Sequence, residues 1–486
     1  MLTLTDKIQL QYMNYIQFFA MRPEVSLLCI YLVIFLYDLI STGHYRRMFH
    51  PLVCISTLLL VVLTLSDRSE FTLFGGMYES NAMIVFMKAI LAFGSMLVIL
   101  QANRWLTSST TFYKQGEFYV LLLSTLLGMY FMISARHFLL LFVGIELASL
   151  PMACLVAFDK YSHNSAEAGI KYILTSMFSS AIMLYGVSFL YGTTGTLYFA
   201  DMSELLTGTP LQIFALVMFF TGIGFKISLV PFHMWTADSY QGAPTTVTAF
   251  LSVISKGAAV FTLFIVLVKV FGAMTGEWQT IIYITSLASI TLANLMALKQ
   301  SVLKRFMAFS SISQAGYIML AVIGGNAGGM TAMVFHIIVY TVANMAVFAI
   351  IETIEWQTGD TARRENCNGL YKSNPKLALI MTLALFSLAG IPPFAGFFSK
   401  FFVFMNAFGS GFHVLVFIAL INTVISLYYY LLIVKAMYMK ESTQPLPTIK
   451  SDPYTRTSLT ICVAGIILAG ICSFIYAGID KIAFGL

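Results

Sequence analysis

Six lysines fall inside long apolar stretches of the chain: Lys88, Lys171, Lys226, Lys256, Lys269 and Lys400. A lysine at the centre of a membrane-spanning helix costs about 2.5–3.5 kcal/mol on insertion scales, so several in one chain call for a function. A carboxylate, Glu146, lies in a similar stretch, LFVGIELASLP. Burial disfavours the charged form of a lysine and a nearby carboxylate favours it, so a carboxylate that moves can load or unload a proton. Two charges ~4 Å apart interact by about 4 kcal/mol at an effective dielectric near 20, roughly three pKa units. That is enough to take a buried amine across neutral pH in either direction.

Each of these residues also has a structural reading. Lys226, Lys256 and Lys400 could stand in buried ion pairs, and Glu146 could be a neutral acid held by packing. Lys171 follows Glu167 by one helical turn, which also fits a simple i, i+4 pair near the interface. His233 and His336 fit either a hydrogen-bonded core histidine or a proton relay. Lys304, beside Arg305, reads as an inner-face anchor or as a relay site. Lys88 and Lys269 read as snorkelling lysines, and Glu352 and Glu355 as solvated.

The elements that position these groups follow from composition. Of 486 residues, 59% are hydrophobic and 10% charged, against ~25% charged in soluble domains. The apolar runs are continuous, which excludes a transmembrane barrel. A net charge of +6, spread over loops, makes no stripe for nucleic acid. The runs predict an all-α polytopic membrane protein of about fourteen spans, near 25–40, 50–65, 81–102, 117–135, 137–158, 164–192, 211–240, 245–271, 279–298, 302–323, 330–355, 376–408, 411–439 and 456–478. Residues 1–24, with Asp6, Lys7, Arg22 and Glu24, read as an uncleaved amphipathic lead-in.

Orientation comes from the loops. Sixteen Lys/Arg follow odd-numbered spans, and five lie in the termini and the even loops. The positive-inside rule therefore places odd loops in the cytoplasm and both termini on the other side. At ~1.5 Å per residue, Glu146, Lys171, Lys226, Lys256 and Lys400 all fall in the middle part of a ~30 Å core. They form a row parallel to the membrane plane.

Two spans of the row are interrupted. The seventh reads GFKISLVPFHMWTADSYQGAP around Pro231, and the twelfth reads SLAGIPPFAGFFSKF around Pro392 and Pro393. Proline removes a backbone donor and clashes with the preceding turn, and a bilayer tolerates such breaks only where protein or internal water satisfies the freed groups. Broken helices at matching places point to inverted repeats with a functional centre between them. The expected organisation is residues 1–116 (spans 1–3), 117–271 (first five-helix repeat, spans 4–8), 272–439 (second, inverted repeat, spans 9–13) and 440–486 (last span).

Other chemistry finds no support. The six cysteines are isolated, with no C-x-x-C pair, which argues against disulfides, zinc and iron–sulfur ligation. No phosphate-cradling loop or nucleophile motif is present. The energy for moving charge must come from a partner or an ion gradient.

The segments around Glu146, Lys171 and Lys400, together with GFKISLVPFHMWTADSYQGAPTTVTAFLSVISK and NLMALKQSVLKRFMAFSSISQAGY, resemble the antiporter-like subunits of respiratory complex I over about residues 117–435. Lys400 points to the subunit-N branch of bacterial NADH:quinone oxidoreductase, because the subunit-M pattern has a glutamate there. The resemblance implies a Glu146–Lys226 pair with Lys171 adjacent, His233 bridging Lys226 to Lys256 as the central lysine, and Lys400 as the terminal lysine. It leaves the role of His336 open. It further implies proton translocation driven by electron transfer elsewhere, with no redox chemistry in this chain. FMN, iron–sulfur clusters and quinone would bind partner subunits, M and K would flank the chain, and the location would be the bacterial inner membrane. An Mrp-type cation/proton antiporter subunit, or the sister subunit M of complex I, is the alternative.

Overall fold

The computed structural model describes residues 17–41, 45–442 and 445–483. The expected lead-in lies outside the described residues up to position 16. The first helices are α1 (Arg22–Ile40), α2 (Phe49–Ser66), α3 (Ala82–Leu106), α4 (Gln115–Ser134), α5 (Phe138–Val156) and α6 (His163–Thr194). A short α7 (Phe199–Leu205) precedes α8 (Pro210–Ile227), α9 (Met234–Gly242) and α10 (Thr245–Lys269). Next come α11 (Thr275–Leu298), α12 (Leu303–Val322), α13 (Ala327–Thr358), α14 (Pro375–Ala389) and α15 (Ala395–Gly409). The last are α16 (His413–Met439), α17 (Pro453–Ile471) and α18 (Ser473–Ala483).

Among the described residues, twelve helices are long and apolar enough to cross a membrane. The two remaining expected spans are also present as helix. The tenth is α12, and the twelfth is divided into α14 and α15 at its prolines. The last expected span, 456–478, is also two pieces, because α17 ends at Cys472 with extended backbone and α18 starts anew.

Helices α3, α10, α12 and α13 are the most enclosed, and the others wrap them. The outer ring presents Leu174, Met177 and Phe178 on α6 and Phe417, Leu420 and Val424 on α16, all exposed, a surface whose natural solvent is hydrocarbon. Helices α4 and α5 approach backbone to backbone: a Cβ on Gly144 would lie 2.6 Å from the Met132 nitrogen. Small residues permit such contact, which drives helix association in lipid. It also holds α5, the helix carrying Glu146, rigidly in place.

Two features depart from the sequence reading. A small antiparallel hairpin, β1 (Phe71–Leu73) paired with β2 (Tyr78–Ser80) in the register Thr72↔Glu79, stands in the loop after α2. It is only three residues per strand, too short for a periodic signal. Single bridges tie loops together at each end of the bundle: Tyr78 to Ala135 and His137 to Tyr198, and Val302 to Arg363. Each joins loops that the basic-residue count assigns to the same side.

The second departure is Lys88. It does not snorkel: its amine is fully buried and ion-paired with Glu24 at 2.6 Å, and donates to the Tyr78 hydroxyl at 2.9 Å. Tyr78 in turn donates to the other Glu24 oxygen at 2.9 Å. Glu24 therefore belongs to the first turn of α1, inside the fold, and not to an amphipathic lead-in. The partners are 64 residues apart, beyond the reach of local pattern reading.

Candidate functional site

At the first break, α8 ends with Ser228 in the left-handed region at φ 66°. Side chains satisfy the freed backbone, as a bilayer demands: Ser289 accepts from the Val230 N–H at 2.9 Å, and the Trp235 indole donates to the Phe225 carbonyl at 3.2 Å. Lys226, in the last turn of α8, is 5% exposed. Its amine donates to the Ile145 carbonyl at 3.0 Å and to the Ser149 hydroxyl at 2.5 Å, two groups one turn apart on α5. Glu146 sits between them on the same helix, and its Oε1 is buried without a hydrogen-bond partner.

The expected Glu146–Lys226 pair is thus not a direct contact. The lysine is held by the α5 backbone and Ser149, and the carboxylate stands on the same helix between those two groups. Ser149 carries no charge and gave no signal in the sequence beyond its spacing from Glu146.

Lys256 opens the regular part of α10, directly after a π-helical segment, Leu251–Ser255. Such wide turns recur at functional sites because they re-aim side chains. The Lys256 amine donates to Ser311 of α12 at 2.8 Å and lies 5.5 Å from the centre of the Tyr240 ring. His233 is buried at the start of α9, its Nδ1 without a hydrogen-bond partner, within electrostatic reach of Lys256.

At the second break, α14 ends on Gly390 at φ 87°, a conformation glycine adopts without strain. Lys400 lies in α15, 4% exposed, and folds back to donate to the Leu388 and Ala389 carbonyls at 2.8 and 3.1 Å. These are terminal carbonyls of α14, unsatisfied by the helix itself and at the negative end of its dipole. The Tyr317 ring centre lies 4.9 Å from the amine. His336 is brought to the same place: its Nδ1 shares a 2.6 Å hydrogen bond with Ser399, and its Nε2 is unpartnered. Gln314, His336, Tyr340, Ser399 and Lys400 line a cavity of about 10 Å³, close to the space one water needs.

Lys171 stands apart from these buried groups. Its side chain is 42% exposed and ion-paired with Glu167 at 2.6 Å and with Asp238 at 2.7 Å. The i, i+4 reading describes it better than a buried row does, and Asp238, which also binds Arg305 at 2.7 Å, is its unforeseen partner. Lys304 donates to the Ala243 carbonyl at 3.1 Å and pairs with Glu355 at 3.5 Å. Glu355 also hydrogen-bonds Thr245, so it is engaged in the fold and not simply solvated. Lys304, Glu352 and Glu355 line a cavity of about 580 Å³ at the end of the bundle where α9 meets α10.

Lys226, Lys256 and Lys400 are buried amines on interrupted or widened helix, each bonded to neutral oxygens, whereas the buried Lys88 pairs with the Glu24 carboxylate. No described group of three or more His, Cys, Asp or Glu could hold a metal ion.

This arrangement on this fold defines an antiporter-like membrane subunit. Residues 135–426 match the family model described as NADH:quinone oxidoreductase/Mrp antiporter, transmembrane, and the chain belongs to that family. It is 60% identical over 458 residues to the NADH-quinone oxidoreductase subunit N of Phocaeicola vulgatus, covering 94% of this chain and 96% of that one. It is 51% identical to the subunit N of Azobacteroides pseudotrichonymphae, covering 97% and 99%. A chain of respiratory complex I from Thermus thermophilus has the same fold, with a TM-score of 0.80, 28% identity, and 94% and 98% coverage.

Proposed function

We propose that this chain is the subunit N of a bacterial NADH-quinone oxidoreductase and translocates protons along Glu146, Lys226, His233, Lys256 and Lys400. The burial of three lysine amines on broken or widened helices carries this reading, and the 60% identity over nearly the full length to a subunit N favours it over an Mrp-type antiporter or a subunit M. Lys171 and Lys304 then serve the cytoplasmic end, and His336 assists Lys400.

On this reading spans 4–8 and 9–13 are two inverted repeats, each contributing one broken helix. FMN, the iron–sulfur clusters and the quinone belong to partner subunits, whose electron transfer drives the movement. Other complex I subunits pack against this chain, with M and K on either side. The location is the bacterial inner membrane, with both termini on the non-cytoplasmic face. Each proton moved against 100 mV requires ~2.3 kcal/mol, within the ~4 kcal/mol available from rearranging one charge pair.

The test is Lys256→Ala in the assembled complex, reconstituted in vesicles, with NADH-driven acidification measured alongside NADH oxidation. Pumping should fall severely. Unimpaired pumping overturns the reading, and co-purification with a purely membrane antiporter assembly lacking flavin and iron–sulfur subunits would replace it with the Mrp-type one.

A further inference from the structure

The widened turn that precedes Lys256 is held by two neighbouring helices, and neither contact belongs to the row of ionisable groups. From α13, Asn344 donates its amide to the Ser252 hydroxyl at 2.6 Å. Ser252 lies inside the π-helical segment Leu251–Ser255 and passes its own hydrogen to the Ala249 carbonyl at 2.8 Å. Both side chains are fully buried. From the other neighbour, α3, comes Gly94, where a Cβ would lie 2.8 Å from Ile254 Cδ1 and 3.3 Å from Thr341 Cγ2. Ile254 of the turn seats where α3 has no side chain, while Asn344 reaches the same turn from α13.

Wide turns of this kind are rare within helices, so something must hold this one open. An α-helix sets successive residues about 100° apart around the axis and about 1.5 Å along it, so drawing the segment back into regular register would turn everything after it by about one such step. Lys256 is the first residue after it. Its amine would then leave Ser311, 2.8 Å away on α12, and the face of the Tyr240 ring. The aim of the amine is therefore set by the turn. Side-chain amides do serve as weak glue between membrane helices, and Gln101 of α3 is such a case. It donates to the Met345 carbonyl of α13 at 3.1 Å and to the Ser458 hydroxyl of α17 at 2.9 Å. Asn344, one residue before Met345, differs in where its bond lands: inside the wide turn, on a hydroxyl that continues the chain of hydrogen bonds to the backbone there.

We propose that Asn344 and Ser252 are positioning residues that keep this turn wide and so aim the Lys256 amine at Ser311. Neither carries a proton. Asn344 acts on Ser252, Ser252 on the Ala249 carbonyl, and the turn on the lysine. The inference rests on the proton-translocating reading above, and adds to it two uncharged residues that touch none of the ionisable groups.

The experiment compares Asn344→Leu, Ser252→Ala, Ser252→Thr, Gln101→Leu and Lys256→Ala in the assembled complex, reading protons pumped per NADH oxidised. Asn344→Leu and Ser252→Ala should each lower that ratio about twofold or more, toward the Lys256→Ala value, because a small misplacement of a reacting group is costly. Ser252→Thr, which keeps the hydroxyl, should recover most of it, and Gln101→Leu should match the parent per assembled complex. If Lys256→Ala lowers the ratio while Asn344→Leu and Ser252→Ala match the parent, the bond is glue and the positioning role is overturned. The same holds if Gln101→Leu falls as far as they do, or if Ser252→Thr pumps no better than Ser252→Ala. Lys256→Ala pumping like the parent would instead sink the underlying reading, and this one with it. Should Asn344→Leu not assemble, Ser252→Ala, which removes a single oxygen, decides alone.

Discussion

The two broken helices solve one problem in opposite ways. At the first break Lys226 precedes the interruption and reaches sideways to another helix, where Ile145 and Ser149 receive it beside the Glu146 carboxylate. At the second, Lys400 follows the interruption and reaches back to the carbonyls of its own broken helix. Among the described residues no ion pair involves Lys400, so its ammonium is held by terminal carbonyls and an aromatic face. One site is set by a side chain that can change its charge. The other is set by a backbone dipole that cannot, with His336 lining the same small cavity. The first amine is therefore bonded across to a neighbouring helix beside a carboxylate, and the second to the carbonyl end of its own broken helix.

Removing either amine should give the largest effect. Lys226→Ala and Lys400→Ala each delete an amine proposed to carry the proton, and a positioned acid or base contributes typically 10²–10⁴-fold. Pumping by assembled complex in vesicles should drop by at least tenfold for both. If only one drops, the two breaks do not belong to one path, and the comparison fails at its root.

Glu146→Gln separates the two sites. It keeps shape and removes charge, so the first break loses the field on Lys226 while the second keeps its carbonyls. Pumping should fall roughly tenfold, since each 1.36 kcal/mol of lost interaction is one pKa unit. In a Lys400→Ala background Glu146→Gln should add little further loss. Full additivity there would mean that the carboxylate and Lys400 act independently.

Ser149→Ala is a gentler change at the same place. A hydrogen bond to a charged group contributes about 1.5–3 kcal/mol, but the Ile145 carbonyl remains to hold the amine. A fewfold slowing at the first break is expected. The second break offers no equivalent substitution, because backbone carbonyls cannot be deleted by changing a side chain, and this asymmetry is itself part of the comparison.

The sequence showed the breaks and their lysines clearly, because charge and proline inside apolar runs are rare and costly. Span positions were legible for the same reason. Its partners were not. Ser149, Ser311 and the Leu388 and Ala389 carbonyls carry no signal beyond belonging to a helix, and neutral oxygens are what Lys226, Lys256 and Lys400 are bonded to. Charged partners far apart in the chain were equally hidden: Glu24 for Lys88 and Asp238 for Lys171 meet only because the bundle folds them together. Lys171, eight residues into a helix that starts at His163, faces an exposed, acid-rich corner shared with Glu167 and Asp238, which position along the span does not reveal.

A pair outside the membrane gives the baseline against which the buried sites stand out. Glu79, on β2, accepts from Arg136 at 2.6 Å. Partial burial alone would raise its carboxyl, but the Arg136 hydrogen bond and charge outweigh that and hold it below the ordinary range. A depressed carboxylate contributes stability that is complete above the ordinary carboxylate pKa and is lost as pH falls through the folded value. Glu79→Gln should leave pumping unchanged and lower the thermal midpoint of the assembled complex by several degrees at neutral pH, because Arg136 is buried and would lose its charged partner. Parent and variant should converge only as the pH is taken below the ordinary carboxylate range, where the parent carboxylate also takes up its proton. A pumping loss comparable to that of Glu146→Gln would show that any charge pair in this chain matters, and that burial at the two breaks is not what sets them apart.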